Sequence, residues 1–166
     1  MATAPTLEPN LITIERNFDT ALARKIITHP QVYPNVTDDF SPPAEEFEVP
    51  PNPCIFQLLA KHNNEPFGLF MLIPQTFVCW EIHTFMLPKA WGKWTADAGK
   101  AALRWMFENT PCQRIISNIP EYDTRTLLYA LKVFSIYGVN PTSYLKNGKL
   151  HNQILVGINK GDFLCQ

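Results

Sequence analysis

The chain has 166 residues, 46% of them hydrophobic and 17% charged, which suits one folded core and excludes wholesale disorder. Its 14 basic and 15 acidic residues leave a net charge of −1, which argues against a nucleic-acid binder with a broad basic surface. No apolar run approaches the roughly 18 residues of a membrane span, and Cys54, Cys79, Cys112 and Cys165 lie far apart without zinc-ligand spacing.

The first nine residues, Met1 to Pro9, lack a basic n-region and an apolar h-region, so no secretory leader is expected. The cysteines read as reduced thiols in a cytoplasmic protein. Residues 11–17 predict a first strand. Asp19 is suited to cap a helix through Leu22, Ile26 and Ile27 that stops before Pro30. Nine of the 15 prolines precede residue 54, and the run 41–53 excludes helix and central strand because proline removes donors and restricts its predecessor. A long, exposed, proline-rich loop is expected there, with Glu45, Glu46 and Glu48 solvated on it.

Residues 54–61 and 66–73 predict a hairpin around the turn 62–65, and 77–87 predicts a third strand of the same meander. The period then changes. Trp94, Ala98, Ala101, Ala102, Trp105 and Met106 fall on one helical face, with Thr95 as the expected N-cap and Thr110-Pro111 as the stop. A strand is expected at 113–119. A helix follows at 124–135, with Leu127, Leu128, Leu131 and Phe134 inward. Strands at 141–146 and 152–158 are joined by Asn147-Gly148, a strong hairpin signal. A strand–helix–strand unit over 77–119 requires parallel neighbours, so the sheet is mixed.

The segment from Cys79 to Lys100 carries the candidate chemistry. A strand runs into a short basic loop, and a helix opens behind it. Unpaired amides and the helix dipole at such a junction suit a phosphate or pyrophosphate, with charge from Lys89 and Lys93 and close approach at Gly92. The alternative is an ordinary strand-to-helix turn with two solvated lysines. On the strand, Glu81 and His83 share a face with Cys79 and Phe85. An imidazole beside a carboxylate is a fit general base, and a half-exposed structural pair is the competing reading. Trp80, Trp91, Trp94 and Trp105 are expected mainly in packing, with Trp91 and Trp94 placed to touch an adenine ring. His29 and His62 are expected in solvent, and His151 near a strand edge.

The element order, with Lys89-Ala90-Trp91-Gly92-Lys93-Trp94 after the fourth strand, resembles the GCN5-related N-acetyltransferase (GNAT) family. The family's loop there reads Gln/Arg-x-x-Gly-x-Gly/Ala. Gly92 matches, Lys89 replaces Gln/Arg, and Trp94 stands at a usually small position. Leu128-Tyr129 through Gly138 and Asn147-Gly148 through Asn152 fall in register with two further family runs, with Val133, Tyr137 and Asn152 as departures. The narrower likeness is to GNAT-like proteins of tailed bacteriophages.

The resemblance implies an α+β fold: a mixed, mostly antiparallel sheet of six to seven strands flanked by helices and splayed between the fourth and fifth. One domain over 1–166 is expected. The implied activity is acyl-CoA-dependent N-acyl transfer, acetyl-CoA being the co-substrate and an amine, small or protein-borne, the acceptor. Glu81 or His83 would be the base, and Tyr129 the acid toward the thiolate. Phe85, Leu87, Lys89, Trp91, Gly92, Lys93, Trp94, Thr95 and Asn118 would bind the cofactor. The implied setting is the cytoplasm, that of an infected host if the chain is phage-encoded. The alternative is a non-catalytic GNAT-fold protein that acts in a virion or on phage or host partners.

Overall fold

A computed structural model describes residues 11–165, so the segment read for a leader lies outside the described residues. The elements in order are β1 (Ile12–Arg16), α1 (Thr20–Ile27), α2 (Tyr33–Val36), β2 (Phe56–His62), β3 (Glu65–Pro74), β4 (Cys79–Met86), α3 (Thr95–Asn109), β5 (Arg114–Pro120), α4 (Thr124–Ala130), β6 (Ser135–Lys146), β7 (Lys149–Asn159) and α5 (Lys160–Leu164). The strands form one seven-stranded sheet ordered β1-β2-β3-β4-β5-β7-β6. Every pair is antiparallel except β4–β5, which α3 joins as a crossover.

That parallel pair positions the site. Its ladder holds only Cys79–Arg114, Trp80–Ile115 and Glu81–Ile116. Beyond Glu81, β4 stays paired with β3 as far as Met86, and β5 stays paired with β7 as far as Pro120. Each strand follows its outer neighbour, so the two part.

Alternation along the strands builds a core on each face of the sheet. Leu58, Phe70, Leu72, Trp80, Ile82, Met86, Ile115 and Ile158 pack against Ala98, Ala102, Leu103, Met106 and Phe107 of α3. Leu59, Leu69 and Phe85 pack on the other face against Ala23, Ile26 and Ile27 of α1 and Val32 and Tyr33 at α2. Gly68 permits the close approach of β3 to β4. A Cβ there would lie 2.3 Å from the Met86 sulfur.

The proline-rich loop is pinned to the body. The Arg24 guanidinium donates to the carbonyls of Ala44, Glu45 and Phe47, and the Tyr33 hydroxyl donates to the Pro42 carbonyl at 2.6 Å. Asp19 caps α1 through the Leu22 amide, as the sequence predicts. The Asn147-Gly148 turn has both residues at positive φ, and the Asp39 carboxylate accepts from both of its amides at 2.7 Å. Those amides hold the Asp39 carboxyl below the usual carboxylate range.

Four expectations need correction. The helix expected over 124–135 ends at Ala130, a turn follows, and Ser135 opens β6. Leu128 and Leu131 are 67% and 41% exposed rather than inward. Leucine spacing favours helix, but Ile136 and Val139 commit the chain to pairing with Val156 and Ile154. The strand expected at 141–146 therefore starts at Ser135, with irregularities that accommodate Pro141 and the positive φ of Thr142. Finally, Thr95 does not cap α3. It is the first helical residue, and its hydroxyl donates backwards to the Ala90 carbonyl.

Candidate active site

Where β4 and β5 part, a cleft of about 360 Å³ opens, in the size range of small-molecule sites. Its walls include Ile82, Thr84 and Met86 of β4, Ser117 and Ile119 of β5, Thr95, Ala96 and Gly99 of α3, and Arg125 and Tyr129 of α4. Gln31, Val32 and Asn35 border it as well, although α2 packs on the sheet's other face. The cleft thus reaches from the α3–α4 face to the α1–α2 face.

The inner edge of β4 is set by peptide geometry. The Leu87 amide donates outward to Phe67 of β3 at 2.9 Å. A trans peptide points its carbonyl the opposite way, so the Met86 carbonyl enters the gap toward β5. The Trp91 indole N–H donates to that carbonyl at 2.9 Å. Two pleats earlier, the Ser117 hydroxyl donates to the Ile82 carbonyl at 3.1 Å. Thr84 lies between them, where β4 has no partner strand on that side.

The segment before α3 uses many of its own amides. A 3₁₀ turn spans Pro88–Ala90. The Ala90 carbonyl accepts from the amides of Lys93 and Trp94, and the Trp91 amide donates to the Pro88 carbonyl. The amides of Gly92, Thr95, Ala96 and Asp97 find no acceptor among the described residues. For the last three this is the ordinary condition of a helix start, and the dipole of a 15-residue helix adds partial positive charge. Gly92 adopts φ +72°, and a Cβ there would lie 3.9 Å from the Tyr129 hydroxyl.

Of the residues singled out in the sequence, Trp91, Thr95 and Tyr129 line the cleft, and Gly92 adjoins Tyr129. Trp94 does not roof the free amides. Its ring stacks on His62 (centroids 4.0 Å apart) and packs on Phe67 within the core. His62 is therefore a stacking partner rather than a solvated turn residue. Lys89 and Lys93 are exposed and have no ion-pair partner among the described residues. Phe85 is buried against α1, and Leu87 packs beside it, so both side chains face away from the cleft.

Glu81 and His83 project from the α1–α2 face of β4, at the vertex of the splay. Glu81 Oε1 lies 3.5 Å from His83 Nε2 and accepts from Asn118 Nδ2 at 3.1 Å, while Oε2 accepts from Gln75 Nε2 at 3.1 Å. Asn118 thus ties β5 to β4 where their ladder ends. Crowding by the protein pulls the His83 pKa below its ordinary value of about 6.5, against the opposing pull of Glu81. With its side chain 43% exposed, His83 still meets solvent. Thr84, Ala96, Ser117 and Arg125 went unread in the sequence. Only Thr84 left a signal there, as a polar residue on the strand face opposite Glu81 and His83. Among the described residues, no group of three His, Cys, Asp or Glu could hold a metal ion.

In sequence, no family model and no curated protein matches this chain. In structure, the chain is similar to the spermidine N-acetyltransferase from Vibrio cholerae in complex with CoA and spermine. The identity is 12%, the TM-score 0.77, and the match covers 92% of this chain and 98% of that one. A chimera of that enzyme, SpeG, with hSSAT matches at 15% identity and TM-score 0.74, over 93% of this chain and 99% of that one. Mutant forms of the spermidine/spermine N-acetyltransferase SpeG from Vibrio cholerae match at 11% identity and TM-score 0.74, over 93% and 96%. With its seven-stranded mixed sheet, its single parallel pair and the splay between β4 and β5, the chain carries the GNAT fold.

Proposed function

We propose that this chain is an acetyl-CoA-dependent N-acetyltransferase acting on a small amine. One observation carries the reading: a single cleft joins an open β-strand edge, the free amides of a helix N-terminus and a tyrosine hydroxyl. The residues fit the co-substrate. Pyrophosphate suits the amides of Thr95, Ala96 and Asp97. An arm bearing amide groups suits the backbone of Thr84 and Met86, as an extended peptide suits a sheet edge.

Acetyl-CoA supplies an activated thioester, and the protein supplies placement and proton transfer. An amine entering from the α1–α2 face, where Gln31 and Asn35 border the cleft, reaches the face that bears Glu81 and His83. A His83 with depressed pKa is neutral at pH 7 and accepts the ammonium proton, with Glu81 beside it to favour the resulting charge. The amine nitrogen bonds to the thioester carbon, a backbone N–H of the open β4 edge steadies the oxyanion, and the carbon–sulfur bond breaks. Tyr129 gives its hydroxyl proton to the departing thiolate, and the second proton shed by the acylated nitrogen restores the tyrosinate. The cytoplasm is the proposed setting, consistent with four cysteines that are all free.

A small amine is favoured as acceptor because the structural neighbours include a spermidine acetyltransferase with spermine bound. Calorimetry with CoA and acetyl-CoA is the direct test. A dissociation constant on the order of micromolar is expected, followed by thiol release in the presence of a polyamine or another small amine. Absence of heat with CoA, acetyl-CoA and longer acyl-CoAs overturns the reading.

A second reading has its own support, because the Trp91 indole already occupies part of the cleft and the Lys93 and Trp94 amides are taken. On that reading the chain is a GNAT-fold protein, phage-encoded and virion-associated or host-directed, that works without transfer. It predicts that Tyr129→Phe leaves biological activity intact.

A further inference from the structure

We infer that Trp91 is the gate of the cleft, and that cofactor affinity is set by the work of moving its indole. The inference rests on the acyl-CoA reading. Its starting point is that the Trp91 N–H occupies the Met86 carbonyl, which peptide geometry directs into the gap between β4 and β5. Ser117 occupies the Ile82 carbonyl in the same gap. Of the backbone carbonyls along this edge from Ile82 to Met86, only that of Thr84 is left for a ligand. A pantetheine arm carries two amides in series, and two successive pairing positions on a strand edge lie two residues apart. Ile82–Thr84 and Thr84–Met86 are both such pairs, but Ile82 lies at the narrow end of the gap, where Ser117 of β5 already reaches it, so an arm that pairs at two positions takes Thr84 and Met86 and displaces the indole.

The surroundings of the two loop tryptophans differ in the way a gate requires. Both rings are half-buried against the core, but Trp94 is clasped by the rings of His62 and Phe67. Trp91 is half-buried, lines the cleft, and has the Arg125 guanidinium 5.0 Å over its ring. Arg125 is exposed and pairs with no carboxylate among the described residues, so it can follow the ring or leave it. Gly92, at φ +72°, follows directly and offers a backbone without side-chain obstruction for the swing. The indole therefore stands in for an amide donor at the β4 edge. It satisfies a carbonyl that would otherwise be unpaired, and yields it to the ligand.

The test combines Trp91→Phe, which keeps an aromatic ring but removes the N–H, with NMR of the indole N–H signals of the wild-type protein. Trp91→Phe identifies the Trp91 signal by its loss. On CoA addition, that signal is expected to lose its protection from hydrogen exchange. In calorimetry, Trp91→Phe is expected to bind CoA about 3- to 10-fold more tightly, the range that one net hydrogen bond covers. If the wild type binds CoA while its Trp91 signal stays protected, or if Trp91→Phe binds no more tightly, the gate is overturned and the acyl-CoA reading stands. If neither protein binds CoA, both are overturned.

Discussion

Two adjoining stretches, residues 88–94 and the first turn of α3, share a sequence neighbourhood and behave oppositely. In the first, the Ala90 carbonyl gathers the Lys93 amide, the Trp94 amide and the Thr95 hydroxyl, and the half-buried Trp94 packs against the core. In the second, the amides of Thr95, Ala96 and Asp97 stay open because a helix has no preceding turn of carbonyls to meet them. The basic, glycine-containing stretch thus secures the junction with the amides of Trp91, Lys93 and Trp94 and leaves that of Gly92 open, and most of the capacity for an anion resides in the helix behind it. A loop's composition is a poor guide to which of its amides remain available.

The comparison can be broken in order of expected effect. If residues 88–94 are structural, Trp94→Ala destabilises the fold by about 2–3 kcal/mol, less than a fully buried tryptophan would cost. Chemical denaturation measures this, and an unchanged midpoint refutes it. If the cleft is catalytic, Tyr129→Phe lowers kcat about 10- to 100-fold and leaves the KM for acetyl-CoA unchanged, because the hydroxyl acts only on the leaving thiolate. A fall in affinity without a fall in kcat would make Tyr129 a binding group instead.

Ala96→Asp sets stability against binding. A carboxylate in the first turn of α3 favours the helix dipole by about 0.3–1 kcal/mol but repels a pyrophosphate. CoA affinity is expected to drop about tenfold with thermal stability unchanged or raised, and equal affinity would remove the helix start from the site. His83→Gln tests the proton acceptor. With its pKa depressed, wild-type His83 is neutral above about pH 6.5 and protonates below that value, so the rate falls on the acid side with an apparent pKa under 6.5. The variant is expected to lose that limb. The smallest effect belongs to Lys89→Ala and Lys93→Ala, whose exposed ammonium groups are screened by salt. Each is expected to weaken CoA binding by no more than about threefold at physiological ionic strength.

Legibility in the sequence followed the range of the interactions involved. The meander, α3 and the two hairpins were readable because alternation, helical period and the Asn-Gly turn are local signals. The β6 boundary was not. Whether Leu128 and Leu131 bury or face water depends on β7, which pairs with Ile136 and Val139 from a distant part of the chain. At the site, Tyr129, Thr95 and Trp91 were named from the sequence and meet in one cleft. Ser117 and Arg125 were not named, since nothing in their neighbours distinguishes them from any polar strand residue or exposed helix residue.

The sequence by itself determined the order of the seven strands and of α1, α3 and α4, the parallel crossover through α3 and the face that Glu81 and His83 share, because these follow from periodicity and chain connectivity, while the short helices α2 and α5 left no periodic signal. The family resemblance implied a splay between the fourth and fifth strands, and tertiary structure decided that it opens after three paired residues, because each strand is held by its outer neighbour. Tertiary structure also decided that Trp94 packs between His62 and Phe67 while Trp91 turns to the Met86 carbonyl. Two indoles three residues apart are equivalent to any local rule. Only the cavities and unpaired groups brought to them by other strands tell them apart.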